Sequence, residues 1–106
     1  MNQFTYKLYT LLERDSDNCH IQLADASHPL FQAHFKNKPI LPAFSQLDIV
    51  QELLDVEIIE IKKTKFKEII QPLDKITIIT KREDSKLKVI FQKENKTVSE
   101  MSLETR

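Results

Sequence analysis

Glycine is absent from all 106 residues, where average usage near 7% would supply about seven. Every backbone position that needs a positive φ must therefore use Asn, Asp or a strained residue. Cysteine occurs once, so an internal disulfide is excluded and nothing points to an oxidising compartment. No apolar run approaches the ~18 residues of a membrane span, and Met1-Asn2-Gln3-Phe4 lacks the layout of a secretory signal. Net charge is missing too: sixteen basic residues balance sixteen acidic ones, which argues against a nucleic-acid partner held by bulk attraction. What is present, 41% hydrophobic and 30% charged residues, suits one folded domain over residues 1–106. The expectation is a small cytoplasmic globular protein.

Periodicity gives the layout. Phe4, Tyr6, Leu8 and Leu12 share one parity, with Thr5 and Lys7 on the other, the pattern of a half-buried strand. Asp15-Ser16-Asp17-Asn18 reads as a turn. Cys19, Ile21 and Leu23 then alternate with His20 and Gln22. From 24 to 42 no period holds, and Pro29, Pro39 and Pro42 forbid a continuous helix or a central strand. A long specific loop of this kind often holds a site. Residues 43–54 predict the one convincing helix, with Pro42 at its start and Phe44, Leu47, Val50 and Leu54 as its stripe. Ile49 and Leu53 widen that stripe until the polar positions reduce mainly to Gln46, Asp48, Gln51 and Glu52, as expected of a helix wrapped by a sheet. Strands follow at 56–66, 76–79, 87–91 and 98–103, with Asp84-Ser85 and Asn95-Lys96 as tight turns. The order is two strands, a buried helix, then an antiparallel meander.

Three histidines and a cysteine raise the question of a metal. Positions 20, 28 and 34 match no ligand template, and Cys19 and His20 point to opposite faces of a strand, so no metal site is expected. Cys19 reads as an inert core thiol. The run Lys62, Lys63, Lys65, Lys67 reads as a solvated strand face, with a polyanion-binding patch as the other reading. The remaining chemistry sits in residues 31–48, where His34 lies between Phe31 and Phe35 and Asp48 lies on an apolar helix. An aromatic fence keeps an imidazole neutral and able to act as a base, and burial raises a carboxyl pKa toward an acid's role. By chemistry alone, a structural histidine and a surface aspartate explain the same residues.

The stretch resembles the central motif of the hotdog-fold 3-hydroxyacyl-acyl-carrier-protein dehydratases. Pro29, Phe31, His34, Phe35, Pro39 and Pro42 stand at motif positions, and Asp48 follows His34 by fourteen residues, where the family carries its second catalytic residue. Aspartate within Gln46-Leu47-Asp48 is similar to the decanoyl-type and aryl-polyene-type branches. Residues 65–74 also resemble the family's later strand and turn. The resemblance implies an α+β hotdog: a curved antiparallel sheet of five or six strands wrapped around the helix.

The same resemblance implies dehydration of (3R)-hydroxyacyl thioesters to trans-2-enoyl thioesters, in fatty-acid or related acyl-chain biosynthesis. His34 and Asp48 would be catalytic, and Phe31, Phe35, Pro42, Ala43 and Leu47 would line the substrate. The implied partner is acyl carrier protein, whose phosphopantetheine arm carries the substrate, so no metal or soluble cofactor is needed. A homodimer is implied as well, a higher oligomer or a hetero-hotdog being the variants. All departures concern glycine: Ala33, Asn37, Ala43 and Leu73 replace family glycines. Asn37 tolerates a left-handed conformation. Leu73 predicts a type I turn, because a type II turn would need φ > 0 there. Two other functions stay open: a hotdog thioesterase, and a non-catalytic subunit that binds acyl chains or the carrier.

Overall fold

The computed structural model describes residues 7–33 and 37–106. Within them the chain runs β1 (Tyr9–Arg14), β2 (Asn18–Leu23), α1 (Pro29–Ala33), α2 (Ala43–Leu54), β3 (Ile58–Phe66), β4 (Lys75–Glu83), β5 (Lys86–Lys93) and β6 (Lys96–Thr105). The six strands form one sheet in the order β1-β2-β4-β5-β6-β3, with every pairing antiparallel. This is the expected α+β arrangement, and its meander is local. β4, β5 and β6 follow one another through two-residue turns, while β3 crosses over to pair with β6.

Alternation decides the sheet's two faces. Cys19, Ile21 and Leu23 of β2, Ile76 and Ile78 of β4, Leu87, Val89 and Phe91 of β5, and Met101 and Leu103 of β6 are buried. They share one core with Ile49, Val50 and Leu53 of α2. The residues between them on each strand, Lys86 and Lys88 of β5 for example, face solvent. One face of the sheet therefore carries the helix, and the other is open.

Without glycine, the turns fall on other residues. Asp55 ends α2 in the left-handed region at φ 51°, its N–H donating to the Gln51 carbonyl. The β5–β6 turn places Glu94 at φ 52° and Asn95 at φ 65°, the double positive φ of a type I′ hairpin. Asp84 serves the β4–β5 turn at φ 54°. Asx residues tolerate this conformation at modest cost.

Four expectations need correction. The long loop contains a short helix, α1, because Pro29 occupies a helix start and the His28 carbonyl accepts from Gln32 N at 3.1 Å. Leu12 is half exposed, since a register shift between Leu11 and Glu13 turns it out of the core; Phe4 and Tyr6 lie outside the described residues. The buried face of α2 is Ser45, Gln46, Ile49, Val50 and Leu53, not the Phe44-Leu47-Val50-Leu54 stripe. Finally, Leu73 does adopt a left-handed φ of 67°, the value a type II turn requires after Pro72. Hydrogen bonds over-determine that turn. Asp74 N donates to the Gln71 carbonyl at 3.2 Å and Leu73 N to the Ala24 carbonyl at 3.0 Å. Gln71 N donates to Asp74 Oδ2 at 2.8 Å, and Gln22 Nε2 to the Leu73 carbonyl at 3.2 Å. Lys93 Nζ sits 3.0 Å from the same Asp74 carboxylate. The surrounding bonds offset the strain of a leucine in that region.

Candidate active site

The described part of the motif ends at the start of α2. Pro42 caps the helix in an extended conformation, φ −66° and ψ 158°, with no side-chain cap. Its carbonyl accepts from both Ser45 N at 3.1 Å and Gln46 N at 3.2 Å. The Ala43 N–H is one of the orphan donors of a helix N-terminus and has no acceptor among the described residues. It points along the helix dipole, where negative charge is stabilised.

Asp48 lies one turn further on, half-buried, on the side of α2 away from the core. Phe44 stands four residues before it, hence directly beside it on the helix surface, and is 47% exposed. Leu47 is partly buried against the core edge. Pro42 is half-buried and Ala43 exposed. Sequence reasoning placed Phe44 in the core stripe, whereas it stands exposed beside Asp48. Its exposure beside Asp48 depends on the helix's rotation, which a stripe apolar almost all round does not specify.

The loop before the helix is held from several sides. Phe31 is fully buried in the core and meets His28 edge-to-face, ring centroids 6.3 Å apart. Leu30 N donates to His28 Nδ1 at 3.0 Å, so Nδ1 carries no proton and His28 acts as a backbone acceptor at the start of α1. Leu41 N donates to the Ile70 carbonyl at 2.7 Å. The loop's first residue, Ala24, is gripped between the Leu8 carbonyl and Leu73 N. His34 and Phe35 lie outside the described residues. The flanking segments, α1 ending at Ala33 and the bonds of Leu41 and Pro42, bound the stretch that carries them.

At the other end of α2, Gln51 Oε1 accepts from Ile58 N at 2.9 Å, Arg14 donates to the Leu53 carbonyl at 3.0 Å, and Tyr9 donates its hydroxyl to Glu52 Oε1 at 2.6 Å. Burial, reinforced by the Glu52 carboxylate, pushes the Tyr9 phenol well above its ordinary pKa. These contacts fix the helix's rotation and hence the direction Asp48 faces. The inward side is less well satisfied: Ser45 Oγ and Gln46 Oε1, with Ser99 Oγ of β6, are buried with no hydrogen-bond partner among the described residues.

A six-stranded antiparallel sheet laid against one long helix, with a carboxylate and an open helix N-terminus on the helix's outer side, defines a hotdog domain of the dehydratase kind. The chain matches the family model described as ApeI-like, ApeI dehydratase, over residues 12–104; it belongs to that family, which gives it a dehydratase role. Among solved structures it is similar to a chain of the dehydratase heterocomplex ApeI:P from Xenorhabdus doucetiae, at 21% identity and a TM-score of 0.76, covering 92% of this chain and 96% of that one. It is also similar to an uncharacterised protein from Erwinia carotovora subsp. atroseptica, at 17% identity and a TM-score of 0.63, covering 92% and 91%. These likenesses show the fold. No curated protein sequence matches the chain. Among the described residues no helix is long and apolar enough to cross a membrane.

Proposed function

We propose that the chain catalyses the reversible dehydration of (3R)-hydroxyacyl thioesters to trans-2-enoyl thioesters, with the acyl chain carried on acyl carrier protein. His34 removes the C2 proton. Asp48 delivers a proton to the departing 3-hydroxyl, which leaves as water while the C2–C3 double bond forms. The Ala43 N–H supports the enolate-like oxygen of the thioester carbonyl, aided by the dipole of α2. Phe35, Pro42 and Leu47 enclose the acyl chain, with Phe44 as a further wall, while Phe31, fully buried, backs the loop from the core. The observation that carries this reading is Asp48 on the outer side of α2, on the same helix as the open Ala43 N–H, in a chain of a dehydratase family.

A second hotdog chain completes the site in this reading. β3 is one of the two edge strands, with β1 at the other end, so its outer edge offers unpaired backbone groups, and Ile59, Ile61 and Phe66 on it are about half exposed. An antiparallel partner strand would satisfy both. An identical chain is the simplest partner; the heterocomplex named for the Xenorhabdus relative makes a second, different hotdog chain the alternative.

The test is incubation with 3-hydroxyacyl pantetheine and acyl-carrier thioesters of several chain lengths, with product identification. Enoyl thioester supports the proposal. Free acid would identify a thioesterase. Binding of the thioester without any product, alone or with a second hotdog chain, would identify a binding subunit.

A further inference from the structure

The open face of the sheet carries a charge arrangement that dehydration does not use. Register sets Lys63 of β3 opposite Ser102 of β6, Ser102 opposite Lys88 of β5, and Lys88 opposite Lys81 of β4. Four adjacent strands thus build one transverse row, about 14 Å long at the usual strand spacing. All three lysines are exposed, and none has a carboxylate within ion-pair distance among the described residues.

Neighbouring rows are built differently. One reads Glu60, Glu104, Lys86, Glu83, and the other begins Lys65, Glu100. Elsewhere lysines use the acids within reach: Lys62 lies 3.2 Å from Glu60 and 3.3 Å from Glu104, and Lys67 lies 3.4 Å from Glu100. Like charges directly opposite on a sheet are destabilising. A chain with as many acids as bases that leaves this row unmatched keeps it at a cost in stability.

A cavity of about 830 Å³ opens along three of the four row positions, Lys81, Lys88 and Ser102, and is lined as well by Lys62, Arg82 and Lys86, with Lys63 beyond its edge. That volume is in the range of small-molecule sites, roughly 300–1,000 Å³. Two carboxylates, Asp17 and Glu83, border it; Glu83 faces Lys86 in the next row. Lysine ammonium groups are compact point charges that suit phosphate oxygens, and the guanidinium of Arg82 at the cavity matches phosphate too. The length of the row exceeds what a single phosphate can span.

We propose that Lys63, Ser102, Lys88 and Lys81 form a binding site for a soluble ligand carrying two or more phosphate groups. Lys81 and Lys88 share one phosphate, and Ser102 donates its hydroxyl to the next beside Lys63. The test is calorimetric titration of the whole protein with inorganic tripolyphosphate at about 50 mM salt. Binding is expected, weakened at least about tenfold in Lys88→Gln and reduced as salt rises. Without ligand the same variant should melt about 2 °C higher, because the like-charge opposition is relieved, so that lost binding cannot be ascribed to misfolding. Lys75→Gln, on the same face but outside the row, should bind within about twofold of the parent. No tripolyphosphate binding by the parent, equal binding by Lys88→Gln, or equal loss in Lys75→Gln would overturn the proposal. So would binding of poly-glutamate or of phosphatidic-acid vesicles with no binding of tripolyphosphate.

Discussion

The two sides of α2 invert the usual division of labour. Its inner side buries Ser45 and Gln46 beside Ile49, Val50 and Leu53, and leaves two polar atoms without partners among the described residues. Its outer side holds Phe44 half exposed, with Leu47 and Asp48 next to it. A helix whose only task was to fill a core would exchange these residues. In the proposed reaction this outward ring and carboxylate form the surface that substrate and a second chain would cover, while the inner side carries stability.

Substitutions on the two sides should therefore separate cleanly. Ile49→Ala opens a cavity in the shared core and should cost about 2–5 kcal/mol in chemical denaturation, close to the whole stability of a small domain. Phe44→Ala should change the stability of the isolated protomer by no more than ~0.5 kcal/mol, yet lower enoyl-thioester hydration and weaken association measured by sedimentation. Equal destabilisation by both would break the contrast.

Away from the helix the expected effects are smaller. Leu73→Gly relieves the left-handed strain, of the order of 1–2 kcal/mol, against a glycine entropy cost of roughly 0.4–1 kcal/mol. A net gain of up to ~1 kcal/mol is expected, read as a higher melting temperature. Tyr9→Phe sharpens the pH behaviour. Because the folded-state pKa of Tyr9 is raised, its contribution is complete below the unfolded phenol's pKa of about 10 and is lost as pH rises above it. Tyr9→Phe should cost about 0.5–1 kcal/mol near neutral pH and flatten the decline in stability above pH ~10.

Much of the fold could be read directly from residue order. The alternation of Cys19, Ile21 and Leu23, and of Leu87, Val89 and Phe91, names the buried face of β2 and β5 correctly. Asp84 and Asn95 take left-handed turn positions, as expected of Asx residues in a chain without glycine, while Glu94 and Leu73 take others. Leu73 was not legible, because its φ is imposed by Ala24, Gln22, Gln71 and Asp74, residues up to 51 positions away. The rotation of α2 was hidden for a related reason. Ile49, Leu53, Phe44 and Leu47 spread around the helix, so local pattern gives no single inner side, and the choice is made by contacts at Tyr9, Arg14 and Ile58. Asp48 enters as a candidate through its spacing from His34 within the motif that the resemblance supplies. The lysine row was invisible because Lys63, Lys81 and Lys88 are brought together only by strand order and register.

The most direct test of the outer side of α2 as the seat of catalysis is hydration of a trans-2-enoyl thioester by His34→Ala, Asp48→Asn and the double variant, each assayed as folded, associated protein. Groups that divide acid and base work in one step are non-additive. Each single variant should lose at least about a hundredfold, and the double variant little more than either. Asp48→Glu should keep partial activity. Full activity in His34→Ala or Asp48→Asn, or losses that multiply in the double variant, would contradict a shared elimination step at this face.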